Sequence, residues 1–319
     1  MEVRLANPRG FCAGVDRAIE IVEKALEYHG APVYVLHEIV HNRHVIKDLS
    51  SRGVEFVKEL SEIPSGAVTI FSAHGVAESV VKEGEARGLR VIDATCPLVT
   101  KVHQQAQRYW DQERELILIG HPGHPEVEGT RGRFPGKVVV LSTVEEVDKL
   151  EPKNPEQLAY VTQTTLSLDD TRDVIDALNR RFPLISGPSL NDICYATQNR
   201  QNAVRNLVGD VDLLLVVGSQ NSSNSNRLRE LGEREGVPSY LIDHQDEIQA
   251  EWVKDKRSIG VTAGASAPEI LVSQIIDHLR KLGVDNVQEV DGEAETVTFR
   301  NPPELDALAA DNGHGVQEP

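Results

Sequence analysis

Three cysteines in 319 residues carry the strongest chemical signal in the chain. Cys12, Cys96 and Cys194 lie 84 and 98 residues apart, and each precedes a stretch of helical periodicity. A thiol at a helix N-terminus feels the partial positive charge of unpaired peptide N–H groups, which favours the thiolate. An odd number of cysteines with no close pair is a poor disulfide framework. Three unrelated buried thiols are the plain alternative. Three thiolates suit two inorganic centres: a Cys₃His zinc site, and a cubane iron–sulfur cluster with three irons held by cysteine and one open. Zinc sites draw their ligands in close pairs, so the wide spacing here favours the cluster. An open iron acts as a Lewis acid toward a substrate oxygen, and a cluster also passes electrons.

A second set of candidates lies in loops that follow apolar runs: His41, His74, His121, His124, Glu126, Thr164, Thr165, Ser222, Ser223, Asn224 and Ser266. His41, His74 and His124 stand out among eleven histidines because all three follow strands in Gly-, Asn- or Pro-containing loops. His44 and His121 are alternatives for the ligand-facing role. Glu126, after Pro125, reads equally well as a helix-capping acid. The run Ser219 to Asn226 can be a plain loop, yet it has no charge, follows a strongly apolar strand and precedes a helix. Hydroxyl and amide donors at such a helix start form an anion site without lysine.

The elements that must hold these residues alternate. Strands are predicted at Val33–His37, Val68–Phe71, Leu89–Asp93, Leu116–Ile119, Val138–Leu141, Ala159–Thr162, Leu213–Val217, Ser239–Ile242 and Ile259–Thr262, with helices between them. His41-Asn42-Arg43-His44 reads as a polar loop, and Val297-Thr298-Phe299 as a final strand. Alternation of this kind implies parallel sheets covered on both faces, and ligands bind at the carboxyl ends of their strands. The cysteine spacings match the length of one small α/β domain. The expected architecture is three similar α/β lobes with small parallel sheets, in pseudo-threefold arrangement around one centre. The lobes would be residues 14–96, 97–193, and 1–13 plus 194–300. Residues 301–319, acidic and free of aromatics, read as a disordered tail.

The net charge of −17 argues against nucleic acid, whose phosphates need basic faces. No run approaches the roughly 20 apolar residues of a membrane span. Glu2, Arg4 and Arg9 interrupt any signal-peptide pattern, so a cytoplasmic protein with no membrane partner is expected.

The motifs resemble one family closely. Asn7-Pro8-Arg9-Gly10-Phe11-Cys12-Ala13-Gly14, Ser72-Ala73-His74-Gly75, Asp93-Ala94-Thr95-Cys96-Pro97-Leu98-Val99 and Gly123-His124-Pro125-Glu126 are similar to stretches of the 4-hydroxy-3-methylbut-2-enyl diphosphate reductases. So are His41-Asn42, Thr162-Gln163-Thr164-Thr165-Leu166-Ser167, Asp192-Ile193-Cys194-Tyr195-Ala196, Gly218 to Ser225, and Thr262 to Pro268. The resemblance runs to about Phe299. It implies a three-lobed α/β fold around a [4Fe–4S] cluster held by Cys12, Cys96 and Cys194. It further implies that the substrate hydroxyl binds the open iron and leaves as water after two electrons and protons are added, giving isopentenyl and dimethylallyl diphosphate. This is the last step of the non-mevalonate isoprenoid route. By the same resemblance, Glu126 is the proton source, with Thr164 and His124 around the hydroxyl. His41, His74, His124, Ser222, Ser223, Asn224 and Ser266 would hold the diphosphate. A ferredoxin or flavodoxin would supply electrons, and a monomer is expected. A non-redox dehydratase, a zinc hydrolase and a non-catalytic phosphate-binding protein are the rivals from other classes.

Overall fold

We describe a computed structural model of the chain over residues 1–136, 138–188 and 192–312. The first third holds β1 (Glu2–Leu5), α1 (Ala13–His29), β2 (Val33–Leu36), α2 (Arg43–Ser51), β3 (Val54–Val57), β4 (Val68–Phe71), α3 (Glu78–Ala86) and β5 (Arg90–Asp93). The middle holds α4 (Pro97–Asp111), β6 (Glu115–Ile119), α5 (Pro125–Arg131), β7 (Val139–Leu141), α6 (Val144–Val147), β8 (Leu158–Thr162) and α7 (Leu168–Arg181). The last part holds α8 (Tyr195–Val208), β9 (Leu213–Val217), α9 (Ser223–Arg234), β10 (Ser239–Ile242), α10 (Ala250–Val253), β11 (Ser258–Ala263), α11 (Glu269–Lys281), β12 (Asn286–Glu289) and α12 (Pro303–Asp311).

The strands form three sheets with orders β10-β9-β11-β1-β12, β3-β2-β4-β5 and β7-β6-β8. Every pairing among these strands is parallel. The α/β class and the three small parallel sheets expected from the sequence are therefore present. By chain contacts the residues group into two compact units. One unit comprises Met1–Val15, His41–Lys47 and Cys194–Thr298, and contains the five-stranded sheet. The other comprises Asp16–Val40, Asp48–Ile193 and Phe299–Pro319, and contains the other two sheets. The boundary expected between residues 96 and 97 falls inside this second unit.

The five-stranded sheet follows from its side-chain alternation. Leu213, Leu215 and Val217 of β9 pack with Leu271, Val272, Ile275 and Leu279 of α11. Leu214 and Val216 point the other way, onto Ala203, Val204 and Leu207 of α8 and Leu228 and Leu231 of α9. A strand has period two, so one apolar run feeds both faces of a covered sheet. The connections diverge between β9 and β11, which makes their carboxyl ends a topological switch point, where open α/β sheets bind ligands. The same divergence occurs between β2 and β4 and between β6 and β8. In the three-stranded sheet, α7 covers Ile117 and Ile119, while Val127 of α5 and Val102 and Ala106 of α4 cover Leu116 and Leu118.

Three local expectations are corrected. The polar stretch at His41 continues into a helix, because Asn42 Oδ1 accepts the Val45 N–H at 3.1 Å and caps α2. The final strand is β12, beside β1, and not Val297–Phe299. Residues 290–300 carry no regular structure. This segment runs so close to the N-terminal loop that a Cβ on Gly292 would meet the Asn7 carbonyl oxygen. The expected disordered tail contains α12. Leu305, Leu308 and Ala309 form its buried stripe, the helix lies against β5, and Arg90 pairs with Asp311 at 2.9 Å. Residues 313–319 lie outside the described residues, as does Asn191, expected at the start of the Cys194 helix. Among the described residues no helix is long and apolar enough to cross a membrane.

Candidate functional site

Each cysteine stands at a helix start, as its sequence context predicts. Cys12 immediately precedes α1, while Cys96 and Cys194 are the N-cap residues of α4 and α8. Pro97 at the first helical position fixes the α4 start. None of the three forms a disulfide, and all are partly accessible. Thr197 N–H donates to Cys194 Sγ at 3.4 Å, and Thr197 Oγ1 lies 3.2 Å from the same sulfur. Burial pushes the Cys12 thiol up, and the Arg200 guanidinium opposes that shift. Among the described residues no group of three or more His, Cys, Asp or Glu is arranged to hold a single metal ion.

In the unit built on the five-stranded sheet, the polar candidates cluster at the switch point between β9 and β11. Ser222 caps α9, accepting the Ser225 N–H at 3.3 Å and the Ser225 hydroxyl at 3.0 Å. Asn224 Oδ1 accepts the Ala265 N–H at 2.8 Å, and its Nδ2 donates to Thr197 Oγ1 at 3.4 Å. The Ala265 carbonyl in turn accepts the Cys12 N–H at 3.2 Å. One hydrogen-bonded chain thus joins Cys12, Ala265, Asn224, Thr197 and Cys194. Ser266 donates to the His41 carbonyl at 2.9 Å, and Asn221 Nδ2 lies 3.3 Å from His41 Nδ1. Ser223 is the first residue of α9, half-buried at its N-terminus. His44 is exposed on α2.

In the other unit, Glu126 and Thr164 meet at the switch point between β6 and β8. Glu126 sits in the first turn of α5 and is 3% exposed. Its Oε1 accepts the Thr164 N–H at 2.6 Å, and its Oε2 accepts the Thr164 hydroxyl at 2.9 Å. Burial pushes its pKa up to about 7 against these two hydrogen bonds, and nearby Asp192 adds to the rise. His124 is the N-cap of α5, with Nδ1 accepting the Glu126 N–H at 3.2 Å. The His124 and His74 rings stand edge-on with centroids 5.8 Å apart. Ser72 Oγ lies 3.2 Å from His74 Nδ1. The backbone N–H of His121 donates to Gln163 Oε1 at 3.0 Å. Thr165 Oγ1 accepts from Gln163 Nε2 at 3.0 Å.

The His74 loop and α5 approach through glycine. Gly75 has φ +78°, and a Cβ on Gly129 would sit 2.8 Å from the Gly75 carbonyl oxygen. His103, buried and linked to Thr130 Oγ1 at 3.0 Å, closes the same contact, and burial lowers its pKa to about 3. Gly129→Ala should therefore cost about 1–3 kcal/mol through overpacking. Thermal melting of the variant checks this.

Sequence reasoning missed Arg17, Arg200, Thr197, Glu295 and His103. Arg200 is fully buried and pairs with Glu295 at 2.9 Å. Its position two turns into α8 carries no motif, and a lone arginine in a polar helix reads as a solvated face.

The model of the LytB protein family matches residues 3–280. The 4-hydroxy-3-methylbut-2-enyl diphosphate reductase of Chromohalobacter salexigens is 59% identical over 309 residues, covering 96% of this chain and 98% of its own. Among solved structures, the E-1-hydroxy-2-methyl-but-2-enyl-4-diphosphate reductase from Plasmodium falciparum has a TM-score of 0.94 at 37% identity, covering 98% of both chains. Another, described as (E)-4-hydroxy-3-methyl-but-2-enyl diphosphate reductase, the terminal enzyme of the non-mevalonate pathway, has a TM-score of 0.63 at 30% identity over 88% of this chain and 99% of that one. The chain belongs to the LytB family, that of the 4-hydroxy-3-methylbut-2-enyl diphosphate reductases.

Proposed function

We propose that this chain reductively removes the allylic hydroxyl of 4-hydroxy-3-methylbut-2-enyl diphosphate. Two electrons and two protons enter, the C–O bond breaks, water leaves, and isopentenyl and dimethylallyl diphosphate result. The observation that carries this reading is Glu126, a buried carboxyl whose two oxygens are both held by Thr164 and whose pKa burial pushes up to about 7. Such an acid is about half protonated at neutral pH and can release its proton to a reacting centre.

Cys12, Cys96 and Cys194 would hold a [4Fe–4S] cluster. The donor set fits it: soft thiols, partly accessible, each at a helix start, with an N–H and a hydroxyl beside Cys194. When bound, the cluster supplies electrons and a Lewis-acidic iron, and a ferredoxin or flavodoxin type carrier would replenish the electrons.

The chain's own groups would do the rest. The Thr164 N–H ties Glu126 Oε1, so the protonated form would carry its proton on Oε2, with Thr164 Oγ1 turning from donor to acceptor across the same 2.9 Å contact. From there it passes to the departing oxygen or to the allyl carbon. The diphosphate would bind at the α9 start, where peptide N–H groups, Ser222, Ser223 and Asn224 offer donors, with Ser266 beside them. His41, His74 and His124 would add ring N–H donors. A strongly acidic protein can hold a diphosphate in this way without a lysine cluster.

The test is anaerobic. The purified chain should be brown, contain iron and sulfide in the proportion of a [4Fe–4S] cluster, and convert the substrate to both products with reduced viologen. Turnover without a reductant would mean a dehydratase. A colourless, zinc-bearing and active protein would mean a hydrolase. Either result overturns the reading.

A further inference from the structure

Two of the cysteine-led helices carry, one to two turns in, an arginine that reaches the loop ahead of another cysteine. Arg17 lies five residues after Cys12, on α1. Its Nη1 donates to the carbonyls of Thr95 at 3.0 Å and Ala94 at 3.4 Å, the two residues before Cys96. Its Nε donates to the Arg300 carbonyl at 2.7 Å. Arg200 lies six residues after Cys194, on α8. Its Nε and Nη2 donate to the Gly10 carbonyl at 2.9 and 2.7 Å, and Nη2 also to the Phe11 carbonyl at 3.0 Å. Gly10 and Phe11 are the two residues before Cys12. Lys101, five residues after Cys96 on α4, has Asp192, two residues before Cys194, within electrostatic reach. Each of these links lies inside one compact unit.

Burying a guanidinium is costly unless its charge is matched. Arg200 is 0% exposed and Arg17 8%. Glu295 pairs with Arg200. Arg17 spends its described hydrogen bonds on neutral carbonyls; its largest favourable charge interaction is with Cys96, ahead of the carboxylates of Asp93, Glu304 and Glu20. Cys12 likewise feels Arg200. Carbonyl-bound cations beside thiols fit an anion held by those thiols. A cubane core on three thiolates is such an anion, and more so when reduced.

We propose that Arg17 and Arg200 are positioning residues for the cluster. Each fixes the backbone ahead of one ligand cysteine and keeps a buried positive charge beside that thiolate. Together they raise the cluster's reduction potential and slow its loss. The inference rests on the cluster reading above.

The test uses the anaerobic holoenzyme and two readouts: the midpoint potential from a spectroscopically monitored redox titration, and the decay of visible absorbance in a chelator. Arg17→Gln and Arg200→Gln should shift the potential negative and lose the cluster about tenfold faster or more. Arg200→Lys should keep the potential close to wild type while losing the cluster faster, because an ammonium retains the charge but not the fork that spans two carbonyls. Glu295→Gln should move the potential positive, since it removes the charge that offsets Arg200. Folded Arg17→Gln and Arg200→Gln proteins with wild-type potential and decay overturn the inference. If Arg200→Gln fails to fold, an unmoved potential in Glu295→Gln and Arg17→Gln overturns it equally. A wild-type chain that binds no cluster overturns the functional reading, and this inference with it.

Discussion

Replacing Glu126 with Gln should lower kcat by about 10²–10⁴-fold, the usual worth of a positioned acid, while the visible spectrum stays unchanged. Gln is the isostere of the protonated acid. Its carbonyl can accept the Thr164 N–H as Oε1 does, and its amide can donate to Thr164 Oγ1 where the carboxyl proton sits. The hydrogen bonds survive and the transferable proton does not. The same variant has a second signature. Glu126 has its pKa raised from 4.5 to about 7, so the folded state holds its proton more tightly than the unfolded chain. The resulting stability is fully present below pH 4.5 and is lost as pH rises through about 7. The loss amounts to about 3 kcal/mol at pH 8, from a free energy of 1.36 kcal/mol per pKa unit. Wild type should therefore lose about 3 kcal/mol more than Glu126→Gln between pH 4.5 and 8. Unfolding measured at both pH values reads this directly. In wild-type enzyme, kcat should fall as pH rises through about 7, as the acid form disappears. A variant that keeps full turnover would remove Glu126 from proton delivery.

Changing any one cysteine to Ser should abolish turnover and bleach the brown absorbance, because a hydroxyl is a hard, weakly acidic substitute for a soft thiolate. The fold should not suffer. Cys96 and Cys194 are N-caps, and Ser is among the best N-cap residues, worth roughly 0.5–2 kcal/mol over a non-capping side chain. Apoproteins of Cys96→Ser and Cys194→Ser should melt at or above the wild-type apoprotein temperature while holding little iron. Iron analysis beside a melting curve separates ligand loss from misfolding. A variant that keeps wild-type iron, sulfide and spectrum removes that cysteine from the ligand set.

The parts of the molecule that were legible in the sequence are those where one local pattern decides the outcome. Leu213–Val217 had to be a strand buried on both faces, and the uncharged loop after it had to lie at its carboxyl end. Pro97 fixed Cys96 as an N-cap. Glu126 and Thr164 could be named as candidates, but their contact depends on β6 and β8 being neighbours. The capping alternative for Glu126 does not hold, since His124 caps α5 and the Glu126 carboxyl is bonded to Thr164. Elements whose signal is weak at short range were missed. β3 and β12 are short edge strands, and β12 is largely exposed, so no alternation marks it. α12 buries only a narrow stripe, Leu305, Leu308 and Ala309, inside an acidic segment that resembles a solvated tail. Arg17 and Arg200 are illegible because their partners are backbone carbonyls far away in the chain.

The N-terminal strand imposes an order of assembly. β1 lies between β11 and β12, so its two hydrogen-bonding partners are the last strands of the chain to be made. At about 5–20 residues per second of synthesis, Cys12 emerges tens of seconds before the sheet that anchors its loop can close. Ribosome-arrested chains ending before Ser258 should be alkylated at Cys12 as fast as an unfolded thiol, and chains long enough for β12 to have left the ribosome should be alkylated more slowly. On the cluster reading proposed above, Cys12 could take up metal only once β11 and β12 have joined β1, and of the three thiols it is the one a cell must keep reduced longest.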